Sequence, residues 1–164
     1  MQTGNANAIA RLIEHHGSAL VLYARGLCDS PDDVVQEAFL KLVGQAEMPR
    51  QPKAWLFHVV RNLALNSVRS NIRRRNREQA APGVRQSWFE PVPEKQIEIS
   101  EAVSALSNLD SEDREVVVAK IWGQMTFEEI AELTSVSAAT VYRRYVASLK
   151  KLRSGLSGSR YIED

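Results

Sequence analysis

The pattern that most constrains the fold is the segment from Thr126 to Arg153, which predicts two helices joined by a tight turn. Thr126 and Glu129 have the spacing of a capping box, in which each side chain bonds a backbone amide at the start of a helix. A helix is therefore expected to begin at Phe127. Its apolar residues recur on one face and three glutamates lie on the other, as in a helix packed on a core.

The turn and the second helix follow without a gap. Ser135 and Val136 make the turn, and Ser137 is a good cap for the next helix. Ser135 stands where glycine is usual, so it must adopt the backbone angles of the turn without glycine's freedom. The residues of the second helix expected to face the core recur at helical spacing: Val141, Tyr145 and Leu149.

The second helix is strongly basic, and no acidic residue lies between Ser137 and Arg153. Phosphate contact is the natural interpretation, and the segment as a whole predicts a helix-turn-helix that reads DNA. Two short helices of an ordinary bundle, whose cations only solubilise the surface, are the less favoured alternative, because capping, turn and one-sided charge agree. The basic residues concerned are Arg143, Arg144, Lys150, Lys151 and Arg153.

The amino-terminal half is also predicted to be helical. Apolar residues recur at helical spacing over 9–27, predicting a helix or helix pair that bends near Gly17 and ends around Cys28. A second helix is expected to start at about Pro31. A third should start at Pro52, since proline suits the first turn of a helix, and should run to a cluster of arginines.

The middle of the chain divides it. Residues 79–95 are rich in proline and show no lasting period, so they are predicted to be a linker. Beyond them a helix to about Ser107 is followed by one that Asp110 or Ser111 caps and Gly123 ends.

The predicted fold class is all-α, with two small helical domains joined by a flexible linker. The domains cover 8–78 and 96–155, and a loose tail follows at 156–164.

Composition limits the classes of function. The net charge of the 164 residues is only +1, but the charges are segregated: arginines occur without acids over 61–77, whereas 90–101 carries four glutamates and one lysine. No apolar run approaches the roughly 20 residues of a membrane span, so a soluble protein without membrane insertion is expected. A single cysteine, Cys28, excludes an intrachain disulfide, and three scattered histidines offer no metal-ligand spacing. We therefore expect no cofactor, no metal and no enzyme activity.

Three segments of the chain, taken in their order along it, resemble a bacterial group 4 sigma factor. This is the extracytoplasmic-function class, which has only the region-two and region-four domains. Residues 32–40 (DDVVQEAFL) are similar to the family's polymerase-binding helix, and 54–64 (AWLFHVVRNLA) to the helix that engages the minus-ten element. The third segment runs from Leu106 through TFEEIA to Val141 and is similar to the region-four helix-turn-helix.

The resemblance implies three binding surfaces. The first would dock on the clamp helices of the polymerase largest subunit, and its candidate residues are Asp32, Asp33, Val35, Gln36, Glu37 and Phe39. The second would hold the opened minus-ten strand, and its candidates are Arg61, Asn62, Arg69, Arg73, Arg74 and Arg75. The third would read the minus-35 element, and its candidates are Ala139, Thr140, Tyr142, Arg143, Arg144 and Lys150.

Within the third surface, the resemblance places the early exposed residues against bases and Arg144 and Lys150 against the DNA backbone. The implied partners are core RNA polymerase, through its clamp helices and its flap, and promoter DNA. An anti-sigma factor is a further implied partner, and the implied location is cytoplasmic. Two other functions stay open: a stand-alone helix-turn-helix regulator with an amino-terminal dimerisation or sensing domain, and a purely helical interaction protein.

Overall fold

A computed structural model of the chain describes residues 2–78 and 104–159. Within these ranges every regular element is a helix and no strand occurs, which confirms the predicted all-α class. The predicted linker at 79–95 lies outside the described residues. The predicted tail lies partly outside them, and its first residues, 156–159, continue the last helix.

The amino-terminal half consists of three helices: α1 over Gln2–Arg25, α2 over Pro31–Val43 and α3 over Pro52–Glu78. The prolines at the first positions of α2 and α3 confirm the predicted helix starts. α1 runs through Gly17 as one helix, because the cost of about 1 kcal/mol for one interior glycine is outweighed by packing along the helix.

The core of this half is built from the inward faces of α1, α2 and α3. The Tyr23 ring meets the Phe57 ring edge to face at a centroid distance of 5.1 Å. Leu20 and Leu56 are fully buried beside them. Ile13 belongs to the apolar repeat of α1 but is half exposed, so the helical period predicts the packed stripe only in part.

The carboxyl-terminal half contains a helical segment at 104–107, then α4 over Ser111–Ile121, α5 over Phe127–Thr134 and α6 over Ala138–Ser159. Arg114 ties the first two together, since its guanidinium donates to the carbonyl oxygens of Leu106, Ser107 and Leu109 at 3.0 to 3.1 Å. Asp110 takes the cap position of α4 as predicted, but its side chain makes no capping hydrogen bond.

The two halves pack against each other in this structure. α1 contacts α4, α3 contacts α5, and one cluster of buried apolar residues, which extends from Ala19 to Val141, includes members of both halves. Leu106, Leu109 and Val117 form a second, smaller cluster. The sequence predicts two small helical domains joined by a linker and leaves their arrangement open, so this shared core is a finding of the structure. None of the helices within 2–78 and 104–159 is both long and apolar enough to cross a membrane.

Candidate nucleic-acid interfaces

The first helix of the predicted helix-turn-helix starts with the capping box that its sequence indicates. The Glu129 amide donates to Thr126 Oγ1 at 3.1 Å, and the Thr126 amide donates to Glu129 Oε2 at 2.8 Å. Two amides that would otherwise lack a helical partner are thereby satisfied. The start of α5 is thus fixed by residues three positions apart in the chain.

The turn uses a left-handed residue. Ser135 has φ 58° and ψ 35°, the region that glycine normally occupies, and its amide donates to the Ala131 carbonyl. The Val136 amide also donates to Ala131, at 3.2 Å. Ser137 then caps α6 by accepting from the Thr140 amide at 3.1 Å, as predicted. The turn geometry is therefore complete without glycine, at the cost of placing a Cβ in a disfavoured conformation.

The early part of α6 exposes one face while it buries the other. Val141 is fully buried against α5, and the Tyr142 side chain is 54% exposed. The Tyr142 ring packs edge to face on the Phe127 ring at a centroid distance of 5.4 Å. Four of the candidate residues are exposed on this face: Ala139, Tyr142, Arg143 and Lys150.

Arg143 and Arg144 are neighbours in sequence but differ in their surroundings. The Arg144 guanidinium is paired with Glu112 Oε2 of α4 at 2.7 Å. Arg143 is exposed, and its only described contact is a 3.3 Å hydrogen bond to Thr140 Oγ1 on its own helix. Arg143 can therefore reach out from the surface, whereas Arg144 would have to leave an ion pair.

Lys151, the residue after Lys150, is exposed but pairs with an acid of α4. Its ammonium donates to Asp113 Oδ2 at 3.1 Å, and this hydrogen bond raises the pKa of Lys151. Asp113 lies next to Glu112 on α4, so two acids of α4 hold two cations of α6 on the side turned away from the exposed face.

The minus-ten candidates fall into two groups along α3. Arg69, Arg73, Arg74 and Arg75 are all exposed on its carboxyl-terminal half. Arg75 lies 3.9 Å from Asp29 Oδ2, but both side chains are more than 60% exposed, so this pair contributes little to stability. This stretch presents a row of cations that can contact a nucleic-acid backbone.

Arg61 is in a different environment, which the sequence did not indicate. Its side chain is only 24% exposed, and Nε donates to Glu115 Oε1 of α4 at 2.7 Å. Burial alone would lower the pKa of Arg61, but the hydrogen bond and charge of Glu115 raise it above the ordinary value. Asn62, the next residue, is exposed.

The same carboxylate also binds the first half through Tyr23. The Tyr23 hydroxyl donates to Glu115 Oε1 at 2.5 Å, and burial together with this carboxylate raises the Tyr23 pKa well above its usual value. Sequence reasoning missed Glu115, since an acid at the start of a predicted helix most simply indicates a solvated face.

The predicted protein-binding face lies on α2. Asp32, Asp33, Gln36 and Glu37 are all exposed, so their acidic and amide groups form one accessible surface. The structure corrects the two apolar members of this set. Val35 and Phe39 are buried in the core of the first half, because they occupy the inward face of the helix period, and they cannot meet a partner directly.

Two other apolar residues take that place. Leu40 is 64% exposed and Val43 is 60% exposed, and both follow Gln36 at helical spacing on the outer face. Their spacing from Gln36, i+4 and i+7, was visible in the sequence, but their exposure was not. They give the acidic face an apolar margin.

Among residues 2–78 and 104–159, no three His, Cys, Asp or Glu side chains could share a metal ion. Cys28 is buried, and burial raises the pKa of its thiol, which disfavours the reactive thiolate.

Comparison with known proteins gives consistent matches over both halves. Residues 12–75 match the family model for sigma-70 region 2, and residues 99–152 match the model for sigma-70 region 4. The chain is 31% identical over 172 aligned positions to the RNA polymerase sigma factor CnrH of Cupriavidus metallidurans, with 92% of this chain and 87% of that protein covered.

Two solved structures are similar in fold. The sigma factor RpoE of Bartonella quintana, in complex with the anti-sigma factor NepR, aligns with a TM-score of 0.69 at 23% identity, covering 94% of this chain and 97% of that one. CnrH in complex with the cytosolic domain of CnrY aligns with a TM-score of 0.61 at 27% identity, covering 95% and 92%.

Proposed function

Because this chain belongs to the extracytoplasmic-function group of the sigma-70 family, we propose that it directs core RNA polymerase to promoters with the surfaces described above. Members of this family with regions 2 and 4 bind the polymerase and initiate transcription at promoters, and they are not enzymes. What is proposed here is which residues of this chain read the DNA and which hold the polymerase.

The minus-35 element would be read by the exposed face of α6. The observation that carries the proposal is the contrast within this helix, where Val141 is buried and Tyr142 and Arg143 point outward from a complete helix-turn-helix. An exposed arginine near the start of a recognition helix can donate two hydrogen bonds to guanine in the major groove. Ala139 and Thr140 would lie against the same bases, and Arg144 and Lys150 against phosphates.

The minus-ten strand would be held along α3. Its exposed arginines, Arg69 and Arg73 to Arg75, suit the phosphates of a single strand, and Asn62 can hydrogen-bond a base edge. Arg61 would join them once its ion pair with Glu115 is given up. This region would help to keep the melted strand away from its complement.

Core polymerase would dock on the outer face of α2. Asp32, Asp33, Gln36 and Glu37 offer the charge and hydrogen bonds for a basic helical hairpin, and Leu40 supplies the apolar contact that Val35 and Phe39 cannot make. A subunit of the transcription machinery works where the chromosome lies, so the proposed location is the cytoplasm.

An anti-sigma protein is the proposed regulator. RpoE was solved with the anti-sigma factor NepR, and CnrH with the cytosolic domain of CnrY. A protein of this kind would cover surfaces that polymerase or DNA needs.

Run-off transcription with purified core polymerase on fragmented genomic DNA tests the promoter reading. The wild-type chain should give a defined set of start sites. Arg143→Ala should change which upstream sequences are used, with a loss of about 1–3 kcal/mol in discrimination at one position. Arg144→Ala is the matched control, since a phosphate contact weakens all promoters alike. If Arg143→Ala left the promoter profile unchanged, the base-reading role would be lost.

Capture of the chain by immobilised core polymerase tests the docking face. Charge reversal of Asp32 and Asp33 to lysine should reduce binding at least tenfold while the helical circular dichroism is kept. Reversal of the exposed acids Glu128 and Glu132 on α5 is the control and should have a smaller effect, because it makes the same charge change elsewhere. Full retention of binding by the α2 variant would show that the interface is misplaced.

A further inference from the structure

One carboxylate joins three helices from both halves of the chain. Glu115 of α4 is 8% exposed, and its Oε1 accepts from Tyr23 of α1 at 2.5 Å and from Arg61 of α3 at 2.7 Å. These partners are 92 and 54 residues away in sequence. The carboxylate, the phenol and the guanidinium hydrogen-bond one another where water has little access. Removing one of them would leave a buried polar group without its partner, which costs free energy.

Other contacts lie in the same interface. The Lys53 ammonium of α3 donates to the Gln124 carbonyl at 2.9 Å. At Gly123 the halves approach so closely that an added Cβ would lie 2.9 Å from Cζ of Phe57. The two halves therefore meet in a closely packed interface in which hydrogen bonds join polar groups of one half to those of the other.

The packed arrangement conflicts with simultaneous reading of both promoter elements. The two elements are centred about 25 base pairs apart, which is roughly 85 Å along B-form DNA. Two contacting domains of roughly 30 Å each cannot place α3 on one element and α6 on the other. The halves must separate before the chain can engage a whole promoter.

We propose that Glu115 is the latch of a closed, self-inhibited form, in which region 4 holds Arg61 and withholds it from the minus-ten strand. Binding of polymerase and promoter then requires that the Glu115 contacts to Tyr23 and Arg61 break. The inhibitory part of this inference rests on the proposed role of Arg61, whereas the closure itself rests on the contacts alone.

Small-angle X-ray scattering of the full chain tests the closure. A compact chain of this length has a radius of gyration of about 15 Å. Glu115→Ala should increase the radius of gyration by several ångström while the helical circular dichroism is kept. Asp113→Asn is the matched control on the same helix, because Asp113 pairs only within the second half, with Lys151, and its loss should leave the radius unchanged.

An unchanged radius for Glu115→Ala would overturn the latch. If that variant loses its helical signal, the double variant Tyr23→Phe with Arg61→Ala replaces it, since it removes both groups of the first half from which Glu115 Oε1 accepts. An increased radius for the double variant supports the latch, and an unchanged radius overturns it.

Binding of a fluorescein-labelled oligothymidylate, followed by anisotropy at fixed salt, tests the inhibition separately. Glu115→Ala should bind this single strand several-fold more tightly than the wild type, and adding Arg61→Ala should remove the gain. A larger radius without tighter binding would support the latch and would remove Arg61 from the proposed minus-ten surface. A failure of the latch and a failure of the proposed minus-ten role of Arg61 therefore give different results.

Discussion

Replacing Ser135 by glycine should stabilise the protein, and the turn geometry sets the size of the effect. Ser135 has φ 58°, where a Cβ crowds the backbone at a cost of about 1–2 kcal/mol. Glycine removes that strain but adds about 0.5–1 kcal/mol of backbone entropy to be lost on folding. The two ranges together give a net gain in unfolding free energy of about 0–1.5 kcal/mol. For a chain of this size, the middle of that range corresponds to a rise in Tm of about 1.5–3 °C.

Thermal and urea unfolding followed by far-ultraviolet circular dichroism measure this gain. Ser135→Ala is the matched control, since it keeps the Cβ in the strained conformation and removes only the exposed hydroxyl, and its unfolding free energy should stay within about 0.5 kcal/mol of the wild type. Gln124, the other described non-glycine residue with positive φ, allows the same test at a second turn. If Ser135→Gly were less stable than Ser135→Ala, the strain reasoning would be refuted.

Three further predictions concern stability and DNA binding. Thr126→Ala removes the acceptor of the Glu129 amide and should lower the unfolding free energy by about 1 kcal/mol in urea titrations; equal stability would mean that the capping box contributes nothing. Val141→Ala leaves a cavity at a fully buried position and should lower the unfolding free energy by about 2 kcal/mol in the same assay. Tyr142→Ala, on the exposed face, should lower it less, and the reverse order would contradict the assigned faces. Arg73→Ala should reduce the dependence of oligothymidylate binding on salt, lowering the log-log slope by about 0.7; an unchanged slope would exclude a phosphate contact there.

Local features of this chain were predictable because their causes are local. The capping box of Thr126 and Glu129, the Ser137 cap and the proline at the start of α3 each depend on groups within four residues of one another. Backbone amides at a helix start need partners wherever the helix lies, so the sequence specifies these bonds directly.

The helical period alone was less reliable for assigning faces. The resemblance assigned Val35 and Phe39 to a docking surface, yet both side chains are buried on the inward face of α2. Some apolar residues, such as Leu40 and Ile13, stay exposed. Their exposure depends on how many neighbouring helices cover their own helix, which the period of one helix does not reveal.

By itself, then, the sequence determined that the chain is helical, where its helix-turn-helix begins and turns, and which stretches carry its cations. Only the tertiary structure decided that Arg61 meets Glu115 and Tyr23, and that Arg144 is paired with Glu112 while Arg143 is exposed. The physical reason is separation along the chain. A hydrogen bond within one helical turn follows from local spacing, whereas an ion pair between groups 54 residues apart exists only after packing has brought their helices together.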